Sequence, residues 1–201
     1  MENVVQMIKD ICLIVAAGIG SYVGLVGLSA WKRKIAYSEE YELSKAILIS
    51  VYKIRQKVEI IRWPYREYTY KKNSEQENAD VSEWRGLVDS YNKQWEETSK
   101  VMSEFGSRML EAHVLFGEKV SKKVELVNTI VNELRFTTRE YLDEINPENE
   151  NRMERIDTDW YEEIRKILYS STHEDEYSQR FEQAIKEIEN VLKPYVEHIK
   201  R

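Results

Sequence analysis

The residue types that most often catalyse reactions or bind metals are few in this sequence, and their spacing suits neither task. The chain contains one cysteine, Cys12, and three histidines, His113, His173 and His198. No two histidines form a His-Glu-x-x-His motif, and none follows a glutamate by three residues as in the Glu-x-x-His motif of di-iron bundles. We therefore expect no metal site, no cofactor and no enzymatic activity.

Other common kinds of site are also missing from the sequence pattern. Acidic residues cluster at 157–163 and 174–176, but both clusters fall at predicted helix starts, where carboxylates complement the helix dipole. Glycines concentrate at 18–27, and no Gly-Lys-Ser/Thr sequence follows them, so the chain has no phosphate-binding loop. We therefore expect no small-molecule substrate.

One segment, Trp63–Lys72, alternates aromatic with basic residues in a way that can recognise a partner. Such a pattern can stack on single-stranded nucleic acid, lie at a membrane interface, or pack over the end of a helical domain. Nucleic acid is disfavoured because residues 73–201 contain 18 Lys/Arg and 29 Asp/Glu, a net charge of −11. We expect this segment to bind a protein partner through five residues: Trp63, Tyr65, Arg66, Tyr68 and Tyr70.

The chain is organised around an uncharged stretch of 21 residues, Ile11–Trp31, between Asp10 and Lys32. At about 1.5 Å per residue it is long enough to cross the hydrocarbon core of a bilayer. It exceeds the apolar core of a secretory signal peptide, and no net positive region precedes it. These features predict an uncleaved, single-pass transmembrane helix, with a lipid bilayer as its first partner.

The distribution of charge predicts the orientation of this helix. Lys32, Arg33 and Lys34 follow it directly, whereas only Lys9 precedes it. The positive-inside rule then places the N-terminus outside and the C-terminal domain in the cytoplasm, at the plasma (inner) membrane. We expect Lys32, Arg33 and Lys34 to contact lipid headgroups. Residues 32–72 carry 11 Lys/Arg and 5 Glu, so this part is basic as a whole.

Small residues recur every fourth position inside the predicted span, at Ala16, Gly20 and Gly24. This spacing puts them on one helix face and allows another helix backbone to approach closely. We expect this face to pack against a second membrane helix, as in a homo-oligomer.

The rest of the chain reads as helical, with few glycines and prolines and 33% charged residues. Apolar residues follow alternating steps of three and four over four predicted helices, 38–62, 81–145, 151–170 and 174–199. The fold class is therefore all-α, with a transmembrane helix (domain 1–34) and an elongated antiparallel, coiled-coil-like cytosolic bundle (domain 35–201).

Helix boundaries are predicted from caps and breakers. Ser38 and Asp80 are candidate N-caps, although residues 32–37 contain no breaker and the first cytosolic helix could continue from the anchor. The pattern favours one unbroken helix over 81–145, with a four-residue stutter between Phe116 and Val120, over two helices broken near Gly106 or Gly117. Pro194 is expected to kink or end the last helix.

Two functions fit these observations. The first is a membrane-anchored, non-enzymatic scaffold that presents its cytosolic bundle to a protein partner. The alternative is a membrane effector of a stress, toxin or phage-defence system, which acts by oligomerising through Ala16, Gly20 and Gly24.

Overall fold

The computed structural model describes residues 2–63, 78–149, 158–169 and 175–197. Within these ranges all regular structure is α-helical, which confirms the all-α class, and no strand occurs in them. The chain divides into two units, Met1–Glu42 and Leu43–Arg201, whereas the sequence-based division falls after Lys34. The five helices described are α1 (Glu2–Ile61), α2 (Ala79–Phe116), α3 (Glu118–Glu144), α4 (Thr158–Leu168) and α5 (Glu176–Glu197).

Helix α1 runs without a break for 60 residues, from Glu2 to Ile61. A separate helix beginning at Ser38 is therefore wrong, and the continuous alternative holds. The physical reason is that residues 32–37 contain neither proline nor glycine, and a serine caps a helix only where the backbone leaves the helical conformation.

The part of α1 that belongs to the second unit has one buried stripe. Its buried residues recur at steps of four and three, as the sequence predicts, because these steps keep side chains on one helix face. All five are between 0% and 3% exposed: Ile47, Val51, Ile54, Val58 and Ile61.

The favoured single helix over 81–145 is wrong, because the helix breaks at Gly117 into α2 and α3. Gly117 has φ of 76° and ψ of −173°, a conformation open essentially only to glycine. Its N–H still donates to the carbonyl of His113 at 3.1 Å, which closes the end of α2. The four-residue steps on either side of Phe116, from Ala112 to Phe116 and from Phe116 to Val120, therefore mark a turn between two helices. They are not a stutter within one helix.

Several predicted helix ends move by a few residues. Asn78, and not Asp80, caps α2, since the Asn78 side chain accepts a hydrogen bond from the Asp80 N–H at 3.0 Å. Helix α3 ends at Glu144, before Pro147. Helix α4 is described from Thr158, and the predicted start at 151 lies outside the described residues. Helix α5 continues through Pro194 to Glu197, so this proline does not end it.

Within the second unit, α2–α5 and the later part of α1 share one hydrophobic core. Polar contacts show which parts of the helices meet. The Trp84 Nε1–H of α2 donates to the Leu142 carbonyl of α3 at 2.9 Å, and the Tyr52 hydroxyl of α1 donates to Glu189 of α5 at 2.7 Å. The periodic apolar positions of all these helices therefore meet in a common interior, as their spacing predicts.

The break at Gly117 yields a testable difference between two glycines. We expect Gly117→Ala to lower the free energy of unfolding by about 1–3 kcal/mol, because alanine is strained at this φ and ψ even where its methyl group meets no atom. The matched control is Gly106→Ala inside α2, which should raise it by about 0.5–1 kcal/mol. Urea unfolding of the full-length protein in mild detergent, followed by far-UV circular dichroism, measures both. Equal effects would contradict the assigned turn.

Candidate functional site

The apolar segment of α1 is the largest unusual surface in the first unit. Every side chain from Leu13 to Trp31 is exposed, although the segment is uncharged and contains a window of 18 residues with a mean hydropathy of 1.9. By length and composition this helix can cross a membrane. Helices that are apolar on all sides are found as membrane spans or inside larger proteins.

The two serine hydroxyls inside this segment are satisfied by the helix itself. The Ser21 hydroxyl donates to the Ala17 carbonyl at 2.8 Å, and the Ser29 hydroxyl donates to the Val26 carbonyl at 2.8 Å. An unsatisfied hydroxyl costs free energy in hydrocarbon, so these bonds make both serines compatible with lipid.

The three small residues predicted to pack against another membrane helix, Ala16, Gly20 and Gly24, are all exposed in α1. A Cβ atom added at Gly20 or Gly24 would meet no described atom within 4 Å. The surface beside these residues therefore has room for a second backbone at close range.

The predicted headgroup residues Lys32, Arg33 and Lys34 are also exposed, directly after the apolar segment. Arg33 donates from Nε to the Ser29 carbonyl at 3.4 Å, which leaves the other guanidinium nitrogens available to anionic groups.

The predicted partner-binding residues are described only in part. Trp63 follows the end of α1 and is 58% exposed. The other members of the predicted set lie outside the described residues: Tyr65, Arg66, Tyr68 and Tyr70.

The residue before Trp63, Arg62, forms the most connected polar site of the described chain, and the sequence analysis missed it. Its guanidinium is 2% exposed and lies between the end of α4 and the start of α5. It donates to the carbonyls of Lys166, Ile167 and Tyr169 at 2.9, 2.7 and 3.3 Å. Since the last carbonyls of a helix have no partner within the helix, Arg62 acts as a cap for the C-terminal end of α4.

The same guanidinium binds the N-terminal end of α5. It donates to Asp175 Oδ1 at 2.9 Å and to the Ser178 hydroxyl at 2.6 Å, and it lies 4.4 Å from the centre of the Tyr177 ring. Asp175 in turn caps α5 by accepting from the Ser178 N–H at 2.8 Å. We call Arg62, Asp175 and Ser178 the Arg62 clamp. The acidic cluster at 174–176 indicated a helix start in the sequence, but no pattern there indicated a buried cation.

The electrostatics of the Arg62 clamp hold Asp175 in its charged form. Burial raises the pKa of Asp175, but hydrogen bonds from Arg62 and Ser178 outweigh burial and leave the pKa below its ordinary value. Burial also raises the pKa of the neighbouring Tyr177 phenol well above its ordinary value, so this hydroxyl stays protonated and donates to the Ile130 carbonyl at 3.0 Å. The charged Asp175 carboxylate is therefore the counter-ion of the buried Arg62 guanidinium.

A surface groove between α2 and α3 has a volume of about 220 Å³. Its charged lining residue is Arg135, so it lacks the paired acid and base that general catalysis requires. The residues lining it are Trp95, Thr98, Ser99, Met102, Ser103, Val131, Asn132 and Arg135.

Neither a search for metal-binding geometry nor comparison with known proteins identifies a further site among the described residues. Among the described residues, no three His, Cys, Asp or Glu side chains are grouped to hold a metal ion. His113 is exposed at the end of α2, with Nδ1 3.1 Å from the Ser121 hydroxyl. Comparisons with protein-family models, curated proteins and solved structures found no match to this chain. Function is therefore inferred from the residues themselves.

The Arg62 clamp predicts a pH-dependent loss of stability. Asp175→Asn keeps the shape of the side chain but leaves the buried Arg62 cation without its counter-charge, so we expect the free energy of unfolding to fall by about 3–5 kcal/mol at neutral pH. A carboxyl group whose pKa is lower in the folded state stabilises the fold above its unfolded pKa of about 3.9. The difference between wild type and variant should therefore be complete above about pH 5 and should shrink as the pH falls through the folded pKa.

Urea unfolding of the full-length protein in detergent between pH 2.5 and 7 measures this difference. The matched control is Glu133→Gln, which removes the partly exposed ion pair of Glu133 with Arg180 and should cost less than about 1 kcal/mol. A pH-independent difference for Asp175→Asn would contradict the charged state assigned to Asp175.

Proposed function

We propose that the protein is a membrane-anchored, non-enzymatic helical scaffold that presents a cytoplasmic domain to a protein partner. The observation that carries the proposal is the apolar segment Leu13–Trp31, whose described side chains are all exposed and whose serines bond within the helix. Exposure of so much continuous apolar surface is unfavourable in water and favourable in hydrocarbon.

The proposed orientation has the N-terminus outside and residues 35–201 in the cytoplasm. It is supported by the exposed cations Lys32, Arg33 and Lys34 at one end of the segment, because cationic residues beside a span are retained on the cytoplasmic side. The same cations suit anionic headgroups, at about 1 kcal/mol for each charge near the surface.

We infer that the cytoplasmic domain is an antiparallel, coiled-coil-like helical bundle. In support, Trp84 near the start of α2 contacts Leu142 near the end of α3. Helices α3 and α5 also run in opposite directions, since Lys123 contacts Glu187 whereas the later Glu133 contacts the earlier Arg180. Such a bundle offers extended helix surfaces, which can bind another protein.

The proposed partner-binding surface is the segment that follows α1. Trp63 supports it, because a 58% exposed tryptophan is a residue type that anchors protein interfaces. The Arg62 clamp, directly before Trp63, fixes the end of α1. Trp63 is therefore attached to a rigid helix end. Rigid presentation lowers the entropy cost of binding a partner.

The anchor is tested by placing charge in the apolar segment. We expect the double substitution Val23→Arg and Leu25→Arg to release the full-length protein from membranes, because each arginine costs about 2.5–3.5 kcal/mol at the centre of a span. The measurement is the fraction of protein that stays in the membrane pellet after alkaline extraction.

The matched control lies on the same helix. Ile49 of α1 is also exposed, at 45%, but lies in the second unit, so Ile49→Arg should leave the pelleted fraction unchanged. Retention of the doubly charged variant in the pellet would overturn the proposed anchor.

A second candidate function is an oligomerising membrane effector, and the exposed face of Ala16, Gly20 and Gly24 favours it. Gly18 and Gly27 have the same open space as Gly20 and Gly24, so this candidate is carried by the four-residue spacing that puts Ala16, Gly20 and Gly24 on one face. Assembly through this face would place several spans side by side in one bilayer, which is the arrangement of membrane-perturbing proteins.

The effector function predicts that a larger side chain disrupts oligomer formation at some positions of the span and not at others. We expect Gly20→Leu with Gly24→Leu to convert a detergent-solubilised oligomer into a monomer and to abolish growth inhibition on over-expression, since leucine holds the backbones apart. Gly18→Leu is the control, because Gly18 lies two residues from Gly20 and therefore on another helix face. A wild-type protein that is monomeric and harmless would exclude this function and leave the scaffold.

A further inference from the structure

An unpaired hydrogen-bond donor lies inside the contact between α2 and α3. Trp95 of α2 is 9% exposed, and its buried Nε1–H has no hydrogen-bond acceptor. An indole N–H is fixed in its ring, so it cannot turn to a carbonyl of its own helix as a serine hydroxyl can. Burial of such a donor without an acceptor costs free energy, so an acceptor beside Trp95 would be stabilising.

A second tryptophan of α2 makes the bond that Trp95 lacks. Trp84 precedes Trp95 by 11 residues, about three helical turns, so both lie on the same face of α2. The Nε1–H of Trp84 donates to the Leu142 carbonyl of α3 at 2.9 Å. Beside Trp95 the same two helices leave the groove of about 220 Å³ between them, and the indole N–H stays unpaired there.

The polar groups that line this groove are suited to an anion. Arg135 of α3 is exposed and forms no ion pair with any described residue, whereas Arg139 one turn later pairs with Asp143 at 3.9 Å. Ser99 and Ser103 add hydroxyl groups, and no described carboxylate lines the groove. Donors without a negative charge among them favour a ligand that brings acceptor oxygens.

Apolar side chains form the remaining lining of the groove. Met102 of α2 is half-buried and Val131 of α3 is buried. Phe136, which is 65% exposed, follows the lining residue Asn132 by one turn on the same face of α3. The volume equals that of about seven water molecules at ~30 Å³ each, which suits a ligand smaller than a drug-sized molecule.

The charge of the chain favours a ligand with one negative charge. Residues 73–201 carry a net charge of −11, which repels polyanions, and Arg135 is the charged residue of the lining. A planar guanidinium pairs with a carboxylate through two parallel N–H···O bonds. A single carboxylate therefore fits this groove better than a phosphate or a polyanion.

We propose that the groove binds a carboxylate carried on a short apolar chain. The carboxylate oxygens accept from the Arg135 guanidinium and from the Trp95 Nε1–H, and the chain lies against Met102 and Val131. Such a ligand bridges α2 and α3 and stabilises their pairing. This inference goes beyond the proposed function and needs neither the membrane anchor nor a protein partner.

The experiment observes the indole N–H of Trp95 directly. Full-length protein labelled with ¹⁵N-tryptophan in dodecyl maltoside, an uncharged detergent, gives one indole signal for each of its five tryptophans. Trp95→Phe removes and thereby assigns the signal of Trp95. The labelled protein is titrated at neutral pH with pentanoate and, as the matched uncharged control, with pentanamide.

We expect pentanoate to move the Trp95 signal downfield and to saturate, because the N–H then donates to an anionic oxygen. Arg135→Gln should weaken the affinity for pentanoate by about tenfold or more, since a charge-assisted bond is lost. Arg165→Gln is the control, because Arg165 is exposed on α4 and removes the same charge outside the groove, so it should change the affinity by less than about twofold.

Three results would each overturn the proposal: a Trp95 signal that does not respond to pentanoate, an equal response to pentanamide, or an unchanged affinity in Arg135→Gln with a native circular dichroism spectrum. Failure of the membrane anchor would appear in the pellet assay and would leave this titration unaffected.

Two sources can supply the carboxylate, and a second probe distinguishes them. Glutamate capped by an acetyl and an amide group presents the same carboxylate as an acidic side chain of a protein. Tighter binding of capped glutamate than of pentanoate would support the proposal with an acidic side chain of the protein partner as the ligand. The reverse order would support it with a free short-chain acid.

Discussion

The junction of α1, α4 and α5 depends on one cation buried away from water. Removing a guanidinium from water costs several kcal/mol unless its N–H groups find new acceptors. Arg62 finds them in three carbonyls of α4 and in the side chains of Asp175 and Ser178, all at least 104 residues later in the chain. Apolar stripes with a repeat of three and four fit together in several registers, whereas a satisfied polar network specifies one.

The two parts of helix α1 differ in how much of their apolar surface is buried by other helices. From Leu43 onward one apolar stripe is buried by the other helices of its unit, while Ile49, Tyr52 and Ile60 outside that stripe are 40–45% exposed. From Leu13 to Trp31 the surface is apolar on every side and none of it is covered. A helix that is apolar all round is typical of a membrane span or of a helix covered on every side by protein.

The sequence by itself determined the helical class, the apolar segment and most of the core, because each follows from local periodicity. The apolar stripes that contain Val51 and Val124 could be predicted directly from the sequence, since a helix places every third and fourth residue on one face. The sequence did not distinguish a stutter from a turn at Gly117, because successive four-residue steps are compatible with both. Glycine is also tolerated within helices. Only the tertiary structure revealed the role of Arg62. An arginine at the end of a helix looks the same whether water or five later residues surround it, and long-range hydrogen bonds leave no periodic pattern in the sequence.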